Sequence, residues 1–361
     1  MTDIIAGLTA GWLAKRQAKS LSEARAKQLA ANPELPQKEY QQAREAMLGK
    51  DFGTQPAGEA CQPCMAADKA ARRAQRLELV DKGVNACPEH APAAARLRED
   101  MDQVEHARVA KAVYLKYDAD APADLKRPPP GFLDPSKDEL DALLGPSSQD
   151  QELGHHLLAP KGTEFRAALY KKDPLVWGEN PQPPYDLVFR GSTLAKEDWD
   201  NNFAQNANKE SSYYERAVRL GNRLADRGQT SNVHVVGHSL GGGMAAAAQG
   251  GSGATATTFN AAGLNPKTVA RYSQTGLDRL AADADKIAAY RVEGEVLTKT
   301  QESGITQFFS HAAPGQRQNV PVADESTSAD DRHGMNEMIA AIEKRKEADE
   351  AALKACLADK G

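Results

Sequence analysis

The sequence predicts an α/β protein with a mostly parallel sheet, preceded by an α-helical N-terminal region. Beyond residue 160, short runs rich in β-branched and aromatic residues alternate with segments of helical periodicity. Strands that alternate with helices form parallel sheets covered on both faces. Before residue 118, Ala, Gln, Glu, Lys and Arg dominate and β-branched residues are scarce, which is typical of amphipathic helices.

Three regions follow from these changes in composition. Residues 1–118 are predicted to be a helical region that packs on itself or on the next domain, and that could serve as a delivery or interaction module. Residues 119–159 are rich in Pro and Asp and are predicted to be a linker with a short helix over 136–144. Residues 160–361 form the α/β domain.

The elements of this domain are predicted from periodicity and from Gly and Pro boundaries. Strands are expected over 165–171, 185–191, 233–236, 254–260 and 287–292. Helices are expected over 212–228, 240–249 and 334–358, with further helical stretches between 266 and 286.

Composition excludes several classes of partner. The 361 residues carry a net charge of −5, so no basic excess points to nucleic acid or to an anionic membrane surface. No stretch approaches the roughly 18 apolar residues of a membrane span. The N-terminus, MTDIIAGLTAGWLAKRQAK, has its positive charges after its apolar patch. A Sec signal has the opposite order, so we expect synthesis in the cytoplasm and export by another route, if any.

The stretch VHVVGHSLGGG, residues 233–243, predicts a nucleophilic serine. A tight turn from a strand into a helix lifts a serine hydroxyl clear of the backbone, and glycines two residues before and after it avoid collisions. These are Gly237 and Gly241 around Ser239. The N–H of Leu240 at the helix start is the natural first oxyanion donor. His238 is expected to point away from the serine and to be structural. An alternative is a Gly-rich connection with an incidental serine.

With FRGST (189–193) and DW (198–199) upstream and TFNAAGLNP (258–266) downstream, the sequence resembles the class 3 lipases over about residues 160–345. It looks most like bacterial members, several of which are phospholipase effectors of type VI secretion. The resemblance implies the α/β-hydrolase fold, ester hydrolysis of lipids or phospholipids without a catalytic cofactor, and, as partners, a secretion-system component or a cognate immunity protein.

The same resemblance implies an oxyanion loop and a lid. It places the second oxyanion donor at Ser192. The lid would be the segment LAKEDWDNNFAQ, residues 194–205, in which Trp199 and Phe203 are four apart and share a helical face. That face could rest on an acyl groove and open at a lipid interface. The alternative is that both are core residues.

A base and an acid must follow the serine in this fold, in the order Ser, acid, His. Only His311 and His333 follow Ser239, and His333, at the start of the last helix, is the preferred base. The resemblance implies an acid just past the strand 287–292, where Glu295 occupies the position of the usual Asp. The rival acids are Glu293, Asp324, Asp330 and Asp331, and the remaining alternative is that all five carboxylates are solvated loop charges.

Four cysteines complete the candidate residues. Cys61 and Cys64 form CxxC, and Cys87 and His90 form CxxH 22 residues later, a spacing that suits a structural zinc. A disulfide and free thiols are the alternatives. Cys356, in the last helix, is expected to be incidental.

Three functions are therefore in competition. The first is a serine lipase or phospholipase, including the case of an exported antibacterial effector. The second is a delivery or interaction protein in which residues 1–118 bind a secretion component or chaperone. The third is a lipase-like scaffold without activity, which the complete Ser, acid, His order disfavours.

Overall fold

The computed structural model describes residues 19–20, 22–48, 62–146, 154–193, 195–273, 275–295 and 311–360. The strands are β1 (Phe132–Leu133), β2 (Ala167–Lys172), β3 (Tyr185–Phe189), β4 (Val233–His238), β5 (Ala256–Phe259), β6 (Ile287–Val292) and β7 (Gln316–Val320). The helices are α1 (Leu35–Leu48), α2 (Gln62–Ala86), α3 (Ala91–Lys116), α4 (Lys137–Leu144), α5 (Pro174–Trp177), α6 (Lys196–Asn206), α7 (Ser212–Asp226), α8 (Leu240–Ser252), α9 (Pro266–Tyr272), α10 (Gly276–Ala282), α11 (Ala329–His333) and α12 (Met335–Lys360).

The strands form one seven-stranded sheet in sequential order. β1, β2 and β3 pair antiparallel, and β3 to β7 pair parallel. The carboxyl ends of the parallel strands therefore meet at one edge, where sites of open α/β sheets form. The predicted α/β class and mostly parallel sheet are confirmed, and each of the five predicted strands is present.

Alternate residues of the central strands feed two separate cores, as the period-2 geometry of a strand requires. In β3, Leu187 and Phe189 point to one face, which α7 and α8 cover. Val188 points to the other face, which α1, α3 and α12 cover. The sheet is thus buried on both sides, as its apolar strands predict.

Helices α1 and α3 of the predicted helical region share a core with the α/β domain. Helix α3 lies directly on the sheet, and its residues from Val104 to Leu115 share a core with Val188, Val236 and Tyr290. This burial was not predicted from the sequence because the buried residues include charged ones, which pair with each other. Arg108 is fully buried and donates to Glu343 of α12 (2.5 Å) and to Glu105.

The predicted linker is likewise packed against the domain within its described residues. β1 pairs with β2, and Phe132 is buried in the same core as α3. Ser136 caps the predicted short helix, here α4, with a capping box that includes Glu139. The segment crosses the edge of the sheet and adds a strand to it.

The predicted zinc site has the wrong ligand set. Cys87 forms a disulfide with Cys356, 269 residues away, so its sulfur is not a thiolate that could bind metal. Cys64 is also in a disulfide, and Cys61 lies outside the described residues. His90 ends a short 3-10 turn and is half-buried. Cys356 is therefore not incidental: it ties the end of α12 to the α2–α3 turn.

None of the helices in the described part of the chain combines the length and the apolar character that a membrane span requires.

Candidate active site

Ser239 stands in the turn between β4 and α8, with φ 57° and ψ −125°. This backbone conformation is strained for a residue with a side chain, and such strain is typical of a nucleophile elbow. A Cβ on Gly237 would lie 2.0 Å from the carbonyl oxygen of Gly241, and a Cβ on Gly241 would lie 2.3 Å from that of Phe189. Only glycine fits at either position, for the reason the sequence pattern suggested.

Main-chain hydrogen bonds hold the turn in place from both sides. The Ser239 N–H donates to the Phe259 carbonyl (3.0 Å), and the Ala262 N–H donates to the Ser239 carbonyl (2.9 Å). Leu240 is buried and begins α8, so its N–H belongs to the first turn, where helix N–H groups lack intrahelical acceptors. The positive end of the helix dipole thus lies beside the serine hydroxyl.

The structure brings together Ser239, His333 and Glu295. His333 Nε2 lies 3.0 Å from Ser239 Oγ, and His333 Nδ1 lies 2.8 Å from Glu295 Oε2. An ionised carboxylate only accepts hydrogen bonds, so Nδ1 carries the proton and Nε2 offers a lone pair to the serine O–H. This geometry orients the imidazole as a base toward the hydroxyl.

Glu295 reaches His333 from the turn that follows β6. Gly294 has φ 74°, and the Glu295 N–H closes the turn on the Val292 carbonyl (3.3 Å). Glu295 is only 1% exposed. Glu293, two residues earlier, is exposed to solvent. The other acids considered from the sequence are all exposed: Asp324, Asp330 and Asp331.

His333 ends α11, and its main chain is fixed by two side chains that sequence reasoning did not assign to the site. Asn260 Nδ2 donates to the His333 carbonyl (3.0 Å) and to that of Arg332 (3.1 Å). His238 Nε2 lies 2.8 Å from the same His333 carbonyl. The main chain of His311 lies against Gly263, and the ring within hydrogen-bond distance of Ser239 is that of His333. Asn260 directly follows the end of β5, and this position is the sequence signal that could have identified it as a site residue.

The loop after β3 carries Ser192, which is half-buried, next to the elbow. A Cβ on Gly191 would lie 2.5 Å from the His238 carbonyl, so the loop passes directly over the turn. Asp198 anchors it by accepting from the Thr193 N–H (2.7 Å) and hydroxyl (2.8 Å). The "DW" of the sequence therefore contributes its aspartate to the shape of the loop, a role that the motif did not reveal.

The segment predicted as a lid forms helix α6, and Trp199 and Phe203 are both half-buried on it. Its fully buried residues are polar: Asp198, Asn201 and Gln205. Asn201 accepts from the Ser211 hydroxyl (2.7 Å), and Gln205 donates to the Gly263 carbonyl (2.8 Å). Hydrogen bonds thus anchor the helix, while its aromatic residues retain partial contact with solvent. Neither aromatic residue is a fully buried core residue.

Burial controls the ionisation of the groups around this site. The pKa of His238 is lowered to about 3 because the ring is buried, with the nearby His333 as a further cause. Burial also raises the pKa of Asp198, against the hydrogen bonds from Thr193 and Tyr213 that favour its charged form. His238 is accordingly a neutral imidazole at any physiological pH.

One cluster of metal-ligand type occurs among the described residues, formed by Cys87, Glu89 and Cys356. Two of its three sulfur and oxygen ligands are the bonded sulfurs of the disulfide, which do not suit a metal.

Comparisons with known proteins identify the family of the chain. An extracellular phospholipase A1 of Serratia liquefaciens is 34% identical over 146 residues, which are 39% of this chain and 41% of that protein. The alignment thus spans less than half of the relative's length. A family model described as "Phospholipase-like: Tle-like phospholipase domain" matches residues 105–339, well over half of the chain. The match begins inside α3 and ends inside α12. The chain therefore belongs to the Tle-like phospholipase domain family.

Proposed function

We propose that the chain is a serine phospholipase that hydrolyses carboxylic ester bonds of phospholipids. The observation that carries the proposal is the relay from a buried carboxylate through an imidazole to a hydroxyl on a strained turn. Its two hydrogen bonds are 2.8 Å from Glu295 to His333 and 3.0 Å from His333 to Ser239. Such a relay activates a hydroxyl that is otherwise a weak nucleophile.

In the acylation step, Ser239 Oγ attacks the ester carbonyl carbon while its proton passes to His333 Nε2. The tetrahedral intermediate collapses when the carbon–oxygen bond to the leaving group breaks, and His333 returns the proton to that oxygen. Glu295 stabilises the imidazolium between the two transfers. Water then attacks the acyl-enzyme with His333 as base, which releases the fatty acid and regenerates the serine.

The oxyanion that forms on the carbonyl oxygen needs donors in fixed positions. We assign the Leu240 N–H at the start of α8 as the first donor and the Ser192 N–H as the second. Two observations support the pair: Leu240 directly follows the nucleophile, and the loop of Ser192 is in van der Waals contact with the elbow through Gly191. Asp198 holds this loop in shape before substrate arrives.

The phospholipid class is supported by the family and by the relative, whose printed name is phospholipase A1. The half-buried Trp199 and Phe203 of α6 are suited to contact acyl chains or a lipid interface. Because hydrogen bonds of Asn201 and Gln205 tie the other face of α6 down, we propose that these aromatic residues act from an anchored helix.

We further propose that the enzyme works outside the cytoplasm, as an exported effector. Disulfides persist in oxidising compartments, and Cys87 with Cys356 forms one here. The relative is likewise named as extracellular. A secretion-system component and an immunity protein are the partners that an effector of this kind would need. The alternative, a protein defined by binding through residues 1–118, gains less support because α3 forms part of the enzyme core.

The proposal is tested with the full chain on vesicles of a phosphatidylcholine that carries different acyl chains at sn-1 and sn-2. Products are identified by mass spectrometry, and a triacylglycerol emulsion is assayed in parallel. We expect a lysophospholipid and one fatty acid from the wild type, and at least a thousandfold less from Ser239→Ala. The matched control is Ser252→Ala on the same helix, whose hydroxyl donates to the Ala248 carbonyl (2.9 Å), and it should retain activity.

Equal product from Ser239→Ala would refute the assignment of the nucleophile. Faster release from triacylglycerol than from phospholipid would refute the phospholipid class but leave the serine mechanism in place. The identity of the released acyl chain assigns the sn-1 or sn-2 bond.

A further inference from the structure

A tyrosine of α3 lies between the two halves of the candidate catalytic apparatus. The hydroxyl of Tyr114 is 2.9 Å from His238 Nδ1. The same hydroxyl packs closely against the backbone of Gly191 in the oxyanion loop. A Cβ on Gly191 would lie 2.1 Å from this hydroxyl, so the loop approaches Tyr114 as closely as a bare backbone allows. Tyr114 is therefore in contact with the oxyanion loop and with the residue that precedes the nucleophile.

The direction of each hydrogen bond follows from the chemistry of the partners. His238 Nε2 lies 2.8 Å from the His333 carbonyl oxygen, which only accepts, so Nε2 carries the proton. In a neutral imidazole the other nitrogen then has a lone pair, which accepts from the Tyr114 hydroxyl. The Tyr114 oxygen is also in close contact with the backbone of Gly191. A series of two hydrogen bonds therefore runs from Tyr114, which packs against the oxyanion loop, through His238 to the main chain of the base.

The protonation of this series does not change over the working range of an enzyme. His238 is 7% exposed and its pKa is lowered to about 3 by burial, so the ring stays neutral. Burial raises the pKa of the Tyr114 hydroxyl, which therefore stays protonated and able to donate. The series is thus a fixed support for its neighbours, and no proton is available from it for catalysis.

The end of the series is the carbonyl of His333, whose ring meets Ser239 and Glu295. This carbonyl accepts from His238 and, at 3.0 Å, from Asn260. Two donors on one carbonyl fix the peptide plane next to the base and leave little freedom in where its Cα stands. A shift of about 1 Å in a catalytic group can lower the rate about a hundredfold, so the hydrogen bonds that hold this carbonyl affect the rate of the proposed reaction.

We propose that Tyr114 and His238 are positioning residues that set the oxyanion loop and the His333 base relative to each other. Neither touches the reacting atoms: the His238 ring nitrogens are committed to Tyr114 and to the His333 carbonyl. The inference rests on the proposed function and adds that an N-terminal helix completes the active site. It also gives a chemical reason for the histidine in GHSLG, which the elbow geometry alone does not require.

The test compares Tyr114→Phe with Tyr117→Phe in the full chain. Tyr117 is the matched control, since it directly follows the end of the same helix and its hydroxyl donates to the Ala167 carbonyl (2.7 Å), away from the relay. Rates of labelling by a fluorophosphonate and kcat on a short soluble ester are measured beside thermal unfolding. We expect Tyr114→Phe to lower both rates about tenfold or more with KM little changed, as the loss of one buried hydrogen bond predicts.

Tyr117→Phe should lower thermal stability by a similar amount and leave both rates within about twofold of the wild type. A purely structural role for Tyr114 would make the two variants indistinguishable in rate at temperatures where both are folded, and that result overturns the inference. A wild type that does not label at all overturns the proposed function instead, so the two failures are distinguishable.

His238 provides a second arm that does not depend on the stability of Tyr114→Phe. Glutamine can place an N–H near the position of Nε2, whereas leucine cannot. We expect His238→Leu to lose at least thirtyfold in labelling rate and His238→Gln to recover a substantial part of it. Equal rates for the two variants would show that the bond to the His333 carbonyl does not position the base.

Discussion

The proposed acid, Glu295, gives the sharpest quantitative prediction, because the resemblance to the class 3 lipases implies an Asp at its position. Its Oε2 lies 2.8 Å from His333 Nδ1. Glu295→Asp withdraws the carboxylate by about one carbon–carbon bond, about 1.5 Å. The separation would then be about 4.3 Å, which is beyond hydrogen-bond distance. The variant residue keeps its charge but loses the contact that orients the ring.

Glu295→Gln makes the complementary change, since it keeps the length and removes the charge. The amide can still meet Nδ1, but it no longer stabilises an imidazolium and can favour the wrong tautomer. We expect kcat to fall about a thousandfold or more for Gln and about a hundredfold for Asp, by analogy with the loss of the acid in other triads. The order of the two effects tells whether charge or contact matters more.

The assay is hydrolysis of a short soluble ester, which avoids any contribution from the lipid interface. Glu293→Gln is the matched control: the same substitution two residues away, on an exposed side chain. It should stay within about twofold of the wild type. Thermal unfolding of all three variants verifies that they are folded. A folded Glu295→Gln variant with kcat within threefold of the wild type would refute the assignment of this acid.

Three further predictions concern the support of the site. Asn260→Asp keeps the bond from the Val292 N–H (3.0 Å) but turns a carboxylate toward the His333 carbonyl, so kcat should fall tenfold to a hundredfold, about 1.4–2.8 kcal/mol, with ester kinetics as the readout. The double variant Cys87→Ser and Cys356→Ser removes a disulfide that closes a loop of 269 residues. Denaturant titrations should show a free energy of unfolding lower by at most about 5 kcal/mol. If a reductant lowers the stability of the double variant as much as that of the wild type, this disulfide does not have the proposed role. The pKa of His238 is about 3 in the folded state and near 6.5 in the unfolded state. The contribution of this histidine to stability should therefore be complete above pH 6.5 and should fall by about 1.4 kcal/mol per pH unit as the pH drops from about 6.5 toward 3. His238→Gln should flatten this acid slope, and an unchanged slope would show that another group causes it.

Much of the fold and of the candidate site was predictable because the signals are local. Glycines around Ser239 report on a turn whose collisions involve neighbours in the chain. Strand and helix periodicities located the sheet, and chain order left few histidines to choose from. The resemblance pointed to Glu295 by its place after strand β6, and the structure brings its carboxylate within 2.8 Å of His333 Nδ1.

The burial of the helical region was harder to predict because charged residues are buried there among the apolar ones. Arg108 is fully buried and Glu105 is nearly so, since each neutralises the other across one turn and Arg108 also pairs with Glu343. A pattern of Lys, Arg and Glu predicts a solvated helix, and only tertiary structure shows that the charges are paired. Tyr114 was likewise not predicted, because it belongs to no sequence motif.

The prediction of a zinc site from the cysteine spacing was wrong for a different reason. Cys61, Cys64, Cys87 and His90 have a spacing that suits zinc, but Cys87 pairs with Cys356 at the other end of the chain. Pairing over such a separation depends on how α2, α3 and α12 meet, which no local pattern encodes. The linker prediction was likewise made from composition, which does not reveal that Phe132 joins the edge of the sheet.

The central claim, that Ser239 is a nucleophile activated by His333, is tested most directly by tandem mass spectrometry of the chain after fluorophosphonate treatment. The account predicts one covalent adduct, located on Ser239, with a labelling rate that falls at least a hundredfold in His333→Ala. An adduct on another serine, or the same rate of labelling without the His333 imidazole, would contradict it.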